Sequence, residues 1–342
     1  MNGSRQRSPK TIEMTIMATV TVLLSNYNQA EYLRDSLRRI CTQTRPADQI
    51  VVIDDGSTDD SLAVMKELAA QYPAVEVIEN GTNLGLQRSI EIGLARVTGD
   101  YLVWAASDDR LLPQFLERNM EVLARHPEAG LAFSETSVLK GDTEEVDRFA
   151  INPLVKHIFN LDDLPEYMDT DALVRRMKRG YLPIASNTAV IRTDLVRAAG
   201  GFPKALEWHS DSFLACAIAY GFGACVIPET LQLIRAKPGT YSHAMHDPLR
   251  QSPVLREMLR LLRHHPHYRR IRWIYRACPS ALSPFGMIMI RVLCRRPQDW
   301  DLLASFGLWS LQRYRIDHGF TWRQMGQLIG HRLFLKVARR NS

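Results

Sequence analysis

The chain of 342 residues holds only five cysteines and no CxxC pair, which removes the familiar zinc and dithiol-redox spacings. Cys41, Cys216, Cys225, Cys278 and Cys294 fall mostly inside apolar runs and read as reduced core residues of a cytoplasmic protein. No apolar run reaches the roughly 20 residues that a membrane-spanning helix needs. The most apolar stretch near the C-terminus, 285–294, is interrupted by Arg291. Residues 1–17 carry basic side chains without the apolar core of a secretory signal, and are expected to form a loose extension. No GxGxxG follows the first apolar run, which argues against a dinucleotide-dependent oxidoreductase. Internal repeats and low-complexity tracts are absent as well. What remains, 46% hydrophobic and 23% charged, is enough to build a full core.

The net charge of +6 is unevenly spread. From residue 246 onward there are 18 Lys and Arg against 5 Asp and Glu; the rest of the chain has 25 against 32. An acidic body suits cation-assisted binding, and a basic tail suits a polyanionic surface.

Strand and helix signals alternate through the first third. Residues 18–24 (ATVTVLL) form a continuous β-branched run, as in a strand buried on both faces. A helix over 30–42 follows, with Leu33, Leu37, Ile40 and Cys41 on one face. Then come strand 49–53, helix 59–70, strand 74–78, helix 86–97, strand 101–105, helix 113–126 and strand 129–139. This rhythm predicts an α/β fold with a doubly wound, mainly parallel sheet. Residues 141–165 are polar and irregular, and are expected to form a mobile excursion over the active face. Structure is expected to resume at 169–179, 185–192 and helix 210–220, then strand 223–227 and an extended segment 230–237. The organisation expected is an extension (1–17), a catalytic domain (18–244) and a basic helical region (245–342).

In such a sheet ligands gather at the carboxyl ends of the strands. Acidic residues stand at two of these ends: Asp54-Asp55-Gly56-Ser57-Thr58-Asp59 and Ser107-Asp108-Asp109. Ser25-Asn26-Tyr27-Asn28 occupies the matching place after the first strand. Ser57, Thr58 or Asp59 could serve as a helix cap, and Asp108-Asp109 could cap the helix ahead of Pro113. Adjacent carboxylates nevertheless repel each other unless a donor or cation balances them. Hard divalent ions prefer such oxygens and often take few protein ligands besides substrate phosphates.

Taken in order, VTVLLSNYNQAEYL from Val20, IVVIDDGSTDDS from Ile50, NLG at Asn83, GDYLVWAASDD from Gly99, and GGF with WHSD between Gly200 and Asp211 resemble the family 2 glycosyltransferases. The likeness spans roughly residues 18–242. It implies the GT-A nucleotide-sugar fold and an inverting transferase using a nucleoside-diphosphate sugar with Mg²⁺ or Mn²⁺. By the same resemblance Ser25, Asn26 and Tyr27 line the base and ribose, and Asp54 or Asp55 bonds the base. Asn83 and Ser107 join this donor pocket, Asp108 approaches the ribose or sugar, and Asp108 and Asp109 hold the metal. Arg235, Lys237 and Ser242 (in LIRAKPGTYSH) lie near the diphosphate, and Arg88 at the start of its helix could meet phosphate. Asp211 is the candidate for the base that takes the acceptor proton, with helix-dipole capping as its plain alternative. Three departures stand out: Ala106 occupies the first position of the usual DxD, Ser210-Asp211 stands where an acidic pair is common, and Lys237 replaces a frequent His.

The expected partners are a nucleotide sugar and a glycan or glycolipid acceptor. The basic tail is expected to meet an anionic membrane, at the inner face of the plasma membrane, and no nucleic acid is expected. His264-His265-Pro266-His267 looks metal-like, but Pro266 and the surrounding Arg argue against a site. Two other readings stay open here: a nucleotidyltransferase, which would release pyrophosphate and normally shows a Gly-rich loop that SNYNQAEY lacks, and a non-catalytic nucleotide-sugar-binding module.

Overall fold

A computed structural model describes residues 18–139, 146–147, 161–180, 182, 184, 186–235, 247–317 and 321. The chain divides into two compact units, residues 1–272 and 273–342.

The first unit is built on one mixed sheet. Strands β1 (Val20–Asn26), β2 (Gln49–Asp54), β3 (Val75–Glu79) and β4 (Tyr101–Ala106) lie parallel in the order β3-β2-β1-β4. The β-branched runs of β1 and β2 are buried on both faces because helices cover the sheet. Those helices are α1 (Ala30–Cys41), α2 (Ser61–Gln71) and α3 (Leu86–Leu94). Helix α1 buries Leu33, Ser36, Leu37 and Ile40, one stripe at helical spacing.

Beyond β4 the sheet changes character. After β5 (Arg110–Leu111) and helix α4 (Phe115–Arg125) come β6 (Leu131–Leu139), β7 (Val146–Asp147), β8 (Tyr167–Met168) and helix α5 (Thr170–Met177). Strand β9 (Ala189–Arg192) then inserts between β4 and β6, antiparallel to both. Helices α6 (Thr193–Ala198) and α7 (Ser210–Phe222) lead to β10 (Ala224–Arg235), which runs parallel to β6. The two segments expected at 223–227 and 230–237 are thus one strand, joined across a register shift between Ile227 and Gln232. Helix α7 is apolar nearly all round and buries Phe213, Leu214, Ala215, Ala217, Ile218, Ala219 and Tyr220.

Helix α8 (Pro248–His264) belongs to this first unit, so the compact units meet later than the change in composition at residue 245. Asp247 caps it through Leu249 N at 2.9 Å. Of the polar excursion expected at 141–165, β7 pairs with β6 and a single turn forms at Leu161–Asp163; residues 141–145 and 148–160, like residues 1–17, lie outside the described residues.

The second unit contains α9 (Arg272–Ala277, which starts at the division), α10 (Gly286–Cys294) and α11 (Trp300–Asp317). Leu282, Met289, Leu293, Leu302 and Phe306 are buried there. Asp299, fully buried, is paired with Arg296 at 2.8 Å. Among the described residues no single helix is long and apolar enough to cross a membrane. One pair of segments bent by 93°, Tyr268–Ala277 and Pro279–Cys294, would suffice by length and composition alone.

Candidate active site

Register places Asn26 beside Asp54 and Ser25 beside Ala106, so β1, β2 and β4 end at one level. The loops leave the sheet there, and the polar residues read from the sequence gather around them. Asn26 and Asp54 are buried and share Ser57: Asn26 Nδ2 donates to Ser57 Oγ at 3.3 Å, and Ser57 N donates to Asp54 Oδ2 at 3.0 Å. The remaining oxygens, Asn26 Oδ1 and Asp54 Oδ1, are buried with no hydrogen-bond donor. Such unmet acceptors cost about 1–3 kcal/mol each, and a ligand N–H would satisfy them. Ser25 is half-buried and Tyr27 is exposed at the mouth.

Asp55 has a different task from its neighbour. Its Oδ1 accepts from Asn80 Nδ2 and Leu84 N, and its Oδ2 from Gly85 N, all at 2.9 Å. The carboxylate holds the 80–85 loop rather than facing a ligand. Of the two candidates for the base contact, geometry therefore favours Asp54. Asn83 Oδ1 accepts from Gly85 N at 3.0 Å within the same loop. Arg88 lies on the exposed face of α3, paired with Glu91 at 3.0 Å, and is not drawn into the cluster. Asp59 accepts from Ala30 N and Ser61 N, so it ties two helix starts together. The capping alternative describes Asp59 well, and does not describe Asp54.

At the end of β4, Ser107 Oγ donates to Gln29 Oε1 at 3.1 Å. Asp109 accepts from Gln232 Nε2 at 2.9 Å, from Arg235 N at 3.2 Å, and from the side chain of Asn187. Burial, and then the charge of Asp108, push the Asp109 carboxyl up to about 7. Such a carboxyl calls for a proton or a cation. Arg235 Nε donates to the Asp108 carbonyl at 3.3 Å, and its guanidinium lies 4.5 Å from the Tyr32 ring centre. A positive group therefore stands at the acidic strand end. Among the described residues no three His, Cys, Asp or Glu side chains converge on a metal position. Adjacent carboxylates are nonetheless the oxygen type that an ion such as Mg²⁺ takes when a diphosphate supplies its other oxygens. Lys237 and Ser242 lie outside the described residues.

Asp211 sits in the first turn of α7, and its Oδ2 accepts from Ser186 Oγ at 2.7 Å. Ser186 and Asn187 are consecutive, so one short turn (Ser186–Thr188) holds Asp211 with one side chain and Asp109 with the next. The segment before Asp211 is also anchored. Gln87 Nε2 donates to Glu207 O and Ser210 Oγ, and Glu207 adopts a positive φ of 44°, uncommon for a residue with a side chain. His209 is half-buried, with Nε2 at 2.8 Å from Gln251 Nε2. Ser186, Asn187, Gln87, Gln232 and Gln251 escape sequence reading. Nothing local marks them, because each meets its partner only after long-range folding.

The model of the Glycosyl transferase family 2 matches residues 21–179, which contain the ends of β1, β2 and β4 but neither the Asp211 turn nor Arg235. Over residues 21–179 the chain is similar to the family 2 glycosyltransferases. The chain is 26% identical over 220 residues to the amylovoran biosynthesis glycosyltransferase AmsE of Erwinia amylovora, covering 64% of the chain and 76% of the relative. It is 28% identical over 180 residues to an uncharacterized glycosyltransferase of Haemophilus influenzae, where it spans only about half of each, 52% and 53%. Among solved structures, residues 1–349 of S. aureus TarS superpose with a TM-score of 0.55 at 15% identity, over 89% of this chain and 93% of that one. The mannosyltransferase PcManGT from Pyrobaculum calidifontis, solved with GDP-Man and Mn²⁺, gives 0.50 at 19% identity, over 89% and 88%. These two likenesses concern the fold, which is GT-A-like with the C-terminal helices α8–α11 added.

Proposed function

We propose that the protein transfers a sugar, with inversion, from a nucleoside-diphosphate sugar to an acceptor hydroxyl in surface glycan or glycolipid synthesis. The observation that carries this is the pair of unmet buried acceptors, Asn26 Oδ1 and Asp54 Oδ1, on the same sheet edge as the Asp108-Asp109 pair. The first pair suits N–H groups of a nucleobase, and Ser25 and Tyr27 flank it. The second suits the cation of a diphosphate, with Ser107 beside it and Arg235 supplying positive charge. Asp211 lies at the far end of the turn that holds Asp109. Its carboxylate takes the proton as the acceptor oxygen bonds to the anomeric carbon. The bond from that carbon to the β-phosphate oxygen breaks, and the nucleoside diphosphate leaves with the electron pair. A Mg²⁺ or Mn²⁺ ion held by Asp108 and Asp109 would supply neutralisation of the diphosphate charge.

AmsE bears the name of a polysaccharide pathway, which supports the acceptor class. Contact with an anionic membrane is supported by the second unit, where Trp300, Leu308, Leu311 and Tyr314 are exposed on α11 in a strongly basic segment.

The test is a thermal-shift panel of nucleotide sugars with Mn²⁺ or EDTA, followed by turnover of the best donor. One donor should raise the melting temperature, and nucleoside diphosphate should be released. Asp211→Asn should keep the shift and abolish turnover. Full turnover in that variant rejects Asp211 as the base, and release of pyrophosphate instead would indicate nucleotidyl transfer.

A further inference from the structure

The turn that carries Asp211 is held by a side chain from α8, about forty residues further on, and the donors and acceptors in that contact leave a single consistent proton arrangement. Trp208 Nε1 donates to Gln251 Oε1 at 2.8 Å. An indole N–H can only donate, so the amide oxygen faces Trp208 and the amide NH₂ faces the other way. There it meets His209 Nε2 at 2.8 Å. An amide NH₂ cannot accept, so Nε2 must accept and the ring proton resides on Nδ1. Gln251 is 3% exposed and Trp208 is 8% exposed, so water does not readily replace either bond.

We infer that Gln251 is a positioning residue that holds His209 as the neutral Nδ1–H tautomer beside Asp211. This rests on Asp211 being the base. Its value to the chemistry lies in what it prevents. A protonated His209 would place a positive charge within reach of Asp211 and reduce the affinity of that carboxylate for an acceptor proton. Burial, the largest influence, lowers the His209 pKa and outweighs the Gln251 contact and the Asp211 charge, which both pull it up. The neutral ring therefore follows from the donor and acceptor geometry of Trp208 and Gln251. Among the described residues the hydrogen bonds of Asp211 come from Ser186 and Ser212, which are uncharged. Arg250, the cation next to Gln251 in sequence, is occupied over the Trp208 ring at 5.4 Å from its centre.

Gln251→Glu tests this with almost no change of shape. The carboxylate can still accept from Trp208, but its second oxygen offers His209 an acceptor in place of a donor. The full-length protein with ¹⁵N-labelled imidazoles, read by long-range ¹H–¹⁵N correlation at pH 8, reports the tautomer directly; His209→Gln assigns the signal among ten histidines. Wild type should show Nδ1–H with an unprotonated Nε2, and Gln251→Glu should show Nε2 protonated. A protonated Nε2 in wild type, or an unchanged pattern in Gln251→Glu, overturns the inference. Asp211→Asn should leave the wild-type pattern in place, so the tautomer is tested apart from the identity of the base. In turnover of the donor identified by the panel, Gln251→Glu should lower kcat by about tenfold with KM within about twofold. An unchanged kcat removes the positioning role. Gln251→Leu, which loses both bonds, should lower the melting temperature as well, and so separates packing from proton placement.

Discussion

A base in a transfer reaction needs one carboxylate oxygen held and the other turned to the acceptor. Ser186 does the holding at 2.7 Å, whereas Ser212 reaches Asp211 Oδ1 only at 3.5 Å. Ser186→Ala should therefore lower kcat about tenfold and change the donor KM little, because only orientation is lost. Equal loss in donor binding, read by calorimetry, would contradict this. His209 gives a second prediction at this scale. Burial holds its pKa below the ordinary imidazole value of 6.5 in the folded state. The unfolded chain therefore binds the proton first, so folding is favoured above pH 6.5 and loses stability as pH falls through the lower folded pKa. Denaturant titrations of wild type and His209→Gln at pH 7.5 and 5 should diverge in that sense: wild type loses more than the variant on acidification.

Among the connecting elements, the turn after β2 is the most tightly constrained. Gly56 has φ 72°, and a β-carbon there would come within 2.4 Å of the Thr82 carbonyl carbon. Gly56→Ala should cost about 1–3 kcal/mol or more from the backbone strain, with further loss from the clash. Because Asp55 anchors Leu84 and Gly85 beside it, the same variant should lose donor-induced thermal stabilisation; an unshifted response to donor would disprove the link. The parallel half of the sheet was legible in the sequence for a simple reason: Val, Ile and Leu runs such as VTVLL and IVVI encode strands buried on both faces. So was the level at which Asp54 and Asp108 stand, since it follows from where those runs stop. The antiparallel direction of β9 was not legible, because four residues, AVIR, carry no sign of which neighbours they will have. Nor was the division of labour between Asp54 and Asp55. It depends on Asn80 and on two backbone amides that approach only once β3 and α3 have folded.

At the scale of the whole chain, charge and apolar exposure coincide in one segment. Residues 273–342 contain 11 Arg and Lys against 3 Asp. On α11, Trp300, Leu308, Leu311 and Tyr314 recur at helical spacing and stay exposed, Leu308 by 67%. The protein should sediment with vesicles containing phosphatidylglycerol and not with pure phosphatidylcholine. Binding should weaken as salt rises, and Leu308→Glu with Leu311→Glu should reduce it about tenfold or more. Equal binding to both vesicle types would remove charge from the account. The order of strands has a further consequence, which concerns synthesis. Among the described residues every partner of β6, namely β7, β9 and β10, lies later in the chain. The ribosome therefore releases β1 to β4 ready to pair, then an apolar strand that only β7 meets, at Val138 and Leu139, until Ala189–Arg192 has been made. At about 5–20 residues per second that interval lasts several seconds. The nascent chain is most exposed to misassociation during that interval, before any acceptor or donor can bind.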